Sequence, residues 1–94
     1  MTDHATAAAQ WMAEHPRAME IFERMALRRA AAGRMFGLKQ LAEVVRWEMT
    51  IDMRPGDDFK INNNHISYIG RSLIAKHPHL ADFIEIRRIH GTAA

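Results

Sequence analysis

Apolar residues recur every three or four positions through most of the first half of the chain. Between Pro16 and Ala32, Ala18, Ile21, Phe22, Met25 and Ala26 make one stripe, and Arg17, Glu20, Arg24 and Arg28 make the opposite one. This spacing predicts an amphipathic helix, with Glu20 and Arg24 as a favourable i,i+4 pair and Gly33 as a left-handed stop. Pro16 suits the first turn of that helix and disfavours a helical His15. The preceding segment, with Ala5, Ala8, Ala9 and Met12 at helical spacing and Trp11 beside them, therefore reads as a separate short helix capped by Thr2 or Asp3. Being short and Ala-rich, it needs docking to persist. A further helix is predicted over Leu38–Glu48, with Leu38, Leu41, Ala42 and Val45 inward and Lys39, Glu43 and Arg46 outward. Trp47 falls off that stripe and is expected to lie over the edge of the core, because its ring buries so much area.

The period then changes. Met49, Ile51 and Met53 alternate with Thr50, Asp52 and Arg54, Pro55-Gly56 is a turn pair, and Phe59 and Ile61 alternate with Lys60 and Asn62. This predicts a β-hairpin of Met49–Arg54 against Asp58–Ile61. Asn62, Asn63 and Asn64 offer side-chain caps for a helix over Asn64–His77, whose Ile66, Ile69, Gly70 and Leu73 face inward; Gly70 permits a close approach, and Pro78 closes the helix. The tail reads as a turn followed by a strand over Phe83–Ile89 that joins the hairpin, before frayed residues from Gly91. The expected fold class is α+β and mostly helical, a single domain over residues 1–94 with an N-terminal extension to residue 15 and a core over 16–90. It resembles a small winged helix-turn-helix domain, with the hairpin between the second and third main helices and a C-terminal strand.

At 94 residues, 48% hydrophobic and 26% charged, the chain has room for one modest core and composition enough to fold it. The absence of cysteine excludes disulfides and thiolate metal sites. No leader pattern or long apolar run is evident, so a cytoplasmic protein without a membrane segment is expected. The net charge of +2 gives little global steering, but the charge is unevenly spread. Arg24, Arg28, Arg29, Arg34 and Lys39 follow one another without an acid, as do Lys60, Arg71 and Lys76 with His65, His77 and His79.

Catalytic patterns are thin. His77-Pro-His79 lacks a third ligand at a usual spacing. Asp58-Phe59-Lys60 has the alternation of a nuclease half-site without a properly separated upstream acid, and Asn64-His65 lacks the other elements of a His-Asn-His nuclease. No phosphate loop or nucleophile elbow occurs. The expectation is a non-enzymatic protein with no metal and no cofactor.

What remains is the outward face of the Asn64–His77 helix, carrying Asn64, Tyr68, Arg71, Ser72 and Lys76 and no acid. These side chains donate to phosphates and base edges, and a helix fits the major groove, so double-stranded DNA is the leading expected partner. Lys60 adds to this set, Arg28, Arg29 and Arg34 add backbone contacts if they share its side, and a homodimer would enlarge the footprint. The alternative is a protein-interaction module, an inhibitor of a host protein or an assembly factor, using Tyr68, Trp47 and the arginines as hot spots.

The residues Val45-Arg46-Trp47, FKINNN over Phe59–Asn64, Tyr68, Arg71, HPHLADF over His77–Phe83, and Glu85-Ile86-Arg87 also carry a resemblance. Together they are similar to an "IRW…FKINNN…Y..R…HP.LA.F..R" pattern of small uncharacterised phage and prophage proteins, over Leu38 to Arg88. The resemblance implies a mobile-element origin, where small proteins commonly bind DNA or disable a host protein; it implies no particular activity.

Overall fold

A computed structural model describes residues 3–51 and 53–85. Four α-helices form the body: α1 (His4–Glu14), α2 (Pro16–Ala31), α3 (Leu38–Thr50) and α4 (Asn63–Lys76). Between α2 and α3 lies the two-residue strand β1 (Phe36–Gly37); after α4 come a 3-10 turn (Pro78–Asp82) and the strand β2 (Ile84–Glu85). The protein is thus a small, mostly helical α+β domain. Among the described residues no helix is long and apolar enough to cross a membrane.

The helices form for the reasons the pattern gives. The Asp3 carboxylate accepts from Thr6 N–H at 2.7 Å to cap α1, and Asn62 accepts from Asn64 N–H at 2.8 Å to cap α4. His15 alone separates α1 from α2, with Pro16 as the first residue of α2. Gly33, at φ 71°, takes the left-handed turn after α2. The stripes of α2, α3 and α4 meet in one core, in which Phe22, Val45, Ile69 and Leu80 are the largest fully buried side chains. Gly70 lets α4 close on α3: a methyl group there would collide with the Leu38 side chain.

The expected hairpin does not form. Met49 and Thr50 complete α3, and Ile51 keeps helical angles (φ −60°, ψ −33°) with its N–H bonded to Trp47 O at 3.0 Å. Met49 sits one turn beyond Val45 and packs against the core, so helical burial outweighs the local alternation. The Pro55-Gly56 turn is present, with Gly56 at φ 97° and Asp57 N–H bonded to Arg54 O at 3.0 Å, but it connects no paired strands. Phe59 and Ile61 do alternate inward, while Lys60 and Asn62 point out, along an extended segment with no ladder. Trp11 supplies that segment's side-chain bond, donating from Nε1 to Lys60 O at 3.1 Å. Without the hairpin there is no wing among the described residues.

The C-terminal strand exists in part and pairs elsewhere. Ile84 and Glu85 run parallel to Phe36 and Gly37, in register Phe36 to Ile84, and Phe36 N–H also bonds Phe83 O at 2.9 Å. The rest of the expected strand, residues 86–89, lies outside the described residues. Phe36 and Ile84 are both buried, so this short parallel bridge ties the tail to the entry of α3.

Candidate interaction surfaces

The outward face of α4 divides in two. At ~100° per residue, Asn64, Tyr68, Arg71 and Ala75 share one narrow stripe, and Ser72 and Lys76 lie roughly 70–110° to its side. On the stripe, the Arg71 guanidinium lies over the Tyr68 ring, 5.0 Å from its centroid, and has no carboxylate partner among the described residues. Ser72 and Lys76 instead line a groove of about 470 Å³ between α1, α2 and α4. Met12, Pro16, Met19 and Leu73 give it apolar walls, and Glu20 and Glu23 face across it from α2.

Lys76 is therefore not free. Its ammonium donates to Glu23 Oε2 at 3.0 Å, and His77 Nε2 meets the same oxygen at 2.6 Å. The hydrogen bonds from His77 and then from Lys76 hold the Glu23 carboxyl below its usual range. This clasp joins the middle of α2 to the C-terminal end of α4. The stretch around α4 lacks an acid in sequence, but the fold brings one to it from 54 residues away.

The other basic residues expected at a DNA surface are dispersed. Lys60 is exposed and lies 3.8 Å from Asp58. Arg29 is half-buried and donates to Met35 O at 3.1 Å, which fixes the loop into β1. Arg28 follows Glu23 by five residues on α2, so it points about 140° round that helix from the side that meets Lys76. Arg34 is exposed beyond the end of α2. Arg24 turns toward Glu48 on α3, at 3.9 Å, rather than toward Glu20. Of the expected nucleic-acid set, Asn64, Tyr68 and Arg71 are brought together; Ser72 and Lys76 face the groove; and Lys60, Arg28, Arg29 and Arg34 occupy other elements.

A second surface departs from expectation. Trp47 is 65% exposed rather than covering the core edge, and Ile51, one turn further, is 58% exposed. The stripe that carries them, Gln40, Val44, Trp47 and Ile51, has 4-3-4 spacing and lies beside the buried Leu41–Val45 stripe. Its N-terminal half opens on a smaller groove of about 220 Å³ lined by Met25, Arg29, Phe36, Gln40, Leu41 and Val44. The spacing was legible in the sequence, but the core stripe beside it accounted for the helix without it.

A third cluster was not foreseen. His65 is buried beneath α1, where its ring lies 6.2 Å from Trp11 and its Nδ1 has no partner among the described residues. Trp11 is stacked on His15 at 4.4 Å and packs against Phe59 at 6.0 Å. These rings dock α1. Comparisons with protein-family models, with curated proteins and with solved structures return no match for this chain.

Proposed function

We propose that the protein is a non-enzymatic interaction module whose α3 stripe takes up the apolar face of a helix from a protein partner. The observation that carries this is the joint exposure of Trp47 (65%) and Ile51 (58%) on one side of α3. A tryptophan offers up to about 250 Å² of contact area, and tryptophan is among the residues most enriched at binding hot spots. From Gln40 to Ile51 the stripe runs for about 16 Å, three turns of helix, which matches an amphipathic helix laid alongside it with the α2–α3 groove at one end. Glu43 and Glu48 border the stripe and are already bonded to Arg46 and Arg24 of the same chain. The resemblance to small phage and prophage proteins fits a host protein as that partner, as it fits DNA.

Double-stranded DNA is the second reading, and Arg71 is the observation in its favour: a cation without a carboxylate partner among the described residues, held over Tyr68 and in line with Asn64. That face is small, because Lys76 is neutralised by Glu23 and the arginines of α2 lie elsewhere.

The deciding experiment is a pull-down from nuclease-treated host lysate with wild type and with Trp47→Ala, both first checked for equal helicity by circular dichroism. One stoichiometric protein held by wild type and weakened about 30-fold or more by Trp47→Ala is the expected result. Equal retention by the variant overturns it. Duplex binding that falls steeply between ~50 and ~200 mM salt, and is lost in Arg71→Ala but kept in Trp47→Ala, replaces it with the DNA reading.

A further inference from the structure

α1 is joined to the body through one residue and docks on elements distant in sequence. Its principal contacts are with α4, and its Trp11 bonds the carbonyl of Lys60, 49 residues away. The hinge residue travels with α1: His15 Nδ1 lies 2.8 Å from Trp11 O, and its ring stacks on Trp11. What sets the fold-back is Pro16. It has no N–H to bond Met12 O, its ring opposes a continuous helix, and it disfavours helical angles at His15, which takes φ −127° and ψ 61°. The docking surface on α4 and Phe59 is indifferent to which copy of the chain supplies α1. An Ala-rich helix of 11 residues is marginal undocked and needs that surface.

From this geometry we infer that α1 is an exchangeable arm: the His15–Pro16 break favours docking on its own α4, and loss of the break, or a high concentration of copies, sends it to α4 of a second copy of this chain. Exchange preserves the contacts of α1 with α4 and Phe59 and alters the hinge and the few contacts of α1 with α2 beside it, which is a low-cost route to a dimer. With Pro16 replaced by Ala, α1 and α2 merge into one helix over residues 4–31, about 42 Å long, and α1 can no longer return to its own α4.

The test is light scattering coupled to size exclusion on Pro16→Ala, with circular dichroism alongside. The expected variant has at least wild-type helicity and twice the monomer mass. The Trp47→Glu, Pro16→Ala double variant should remain dimeric, which separates this contact from the α3 surface proposed above. A fully helical, monomeric Pro16→Ala overturns the inference, as does a dimer abolished by Trp47→Glu. If Pro16→Ala fails to fold, refolding of the unmodified chain from denaturant at ~10 µM and ~1 mM decides: exchange gives dimer at the higher concentration, and its absence there overturns the inference.

Discussion

Replacing Gly70 by alanine sets two effects of similar size against each other. Gly70 lies inside α4, and a glycine in a helix interior costs about 1 kcal/mol relative to alanine, so on propensity alone Gly70→Ala stabilises by that amount. The new Cβ would collide with Leu38 Cδ1 and stand 3.5 Å from Cγ and 3.7 Å from Cδ2. Leu38 is the half-buried first residue of α3, so it can yield only by leaving its rotamer, at about 0.5–1.5 kcal/mol, or by parting α3 from α4, at about 1–3 kcal/mol. The expected net effect runs from about 0.5 kcal/mol stabilising to about 2 kcal/mol destabilising. In a Leu38→Ala background the obstructing atoms are gone, and the same substitution should stabilise by about 1 kcal/mol. Urea midpoints at constant m-value for the four proteins of this cycle should give a coupling of roughly 0.5–3 kcal/mol. Gly70→Ala stabilising wild type as much as it stabilises Leu38→Ala would show that Leu38 does not seat on Gly70, and the α3–α4 packing described here would be refuted.

Two further predictions concern polar groups. Asn62→Ala removes the α4 cap and should cost about 1 kcal/mol in denaturant unfolding, whereas Asn64→Ala, whose side chain is exposed and bonds nothing among the described residues, should cost less than about 0.5 kcal/mol; equal costs would contradict the assignment of Asn62 as the capping residue. Because the Glu23 carboxyl is held below its ordinary value of 4.5, its stabilising effect is complete above that value and lost as pH falls through the lowered folded-state value. Glu23→Gln should therefore cost less than about 1 kcal/mol at pH 7, and the gap to wild type should close below about pH 4.5; a gap unchanged between pH 7 and pH 3 would remove Glu23 from the clasp.

The helices α1, α2 and α4 are legible because each carries its own evidence, a 3.6-residue stripe, a cap or proline at the start and a glycine or proline at or just past the end, whereas α3 carries the stripe alone. Pro16, Gly33 and Asn62 mark those boundaries to within a residue or so. At Met49–Arg54 both periods fit the same letters. Met49 is inward by alternation and also by its four-residue step from Val45, and only the α3 packing partner decides between them. Phe36–Gly37 carries no strand signal of its own, since a two-residue parallel bridge is set by the closing of the chain around Leu80 and Ile84.

The site residues were less legible for a related reason. Sequence spacing places a side chain on a face of its own helix but does not say what the neighbouring helix sets opposite it. Lys76 reads as a free cation because the nearest acids along the chain, Asp58 and Asp82, are far along or past α4, yet α2 presents Glu23 to it at 3.0 Å. Trp47 reads as a core lid because tryptophan usually buries its ring, yet Leu41, Ala42 and Val45 already fill the contact of α3 with the body. Net exposure is a difference between neighbours, and it moved in opposite directions at these two residues. The charge that looked available is bonded within the chain, and the ring that looked internal is the largest apolar group left uncovered, so the weight of the functional reading passes from α4 to α3.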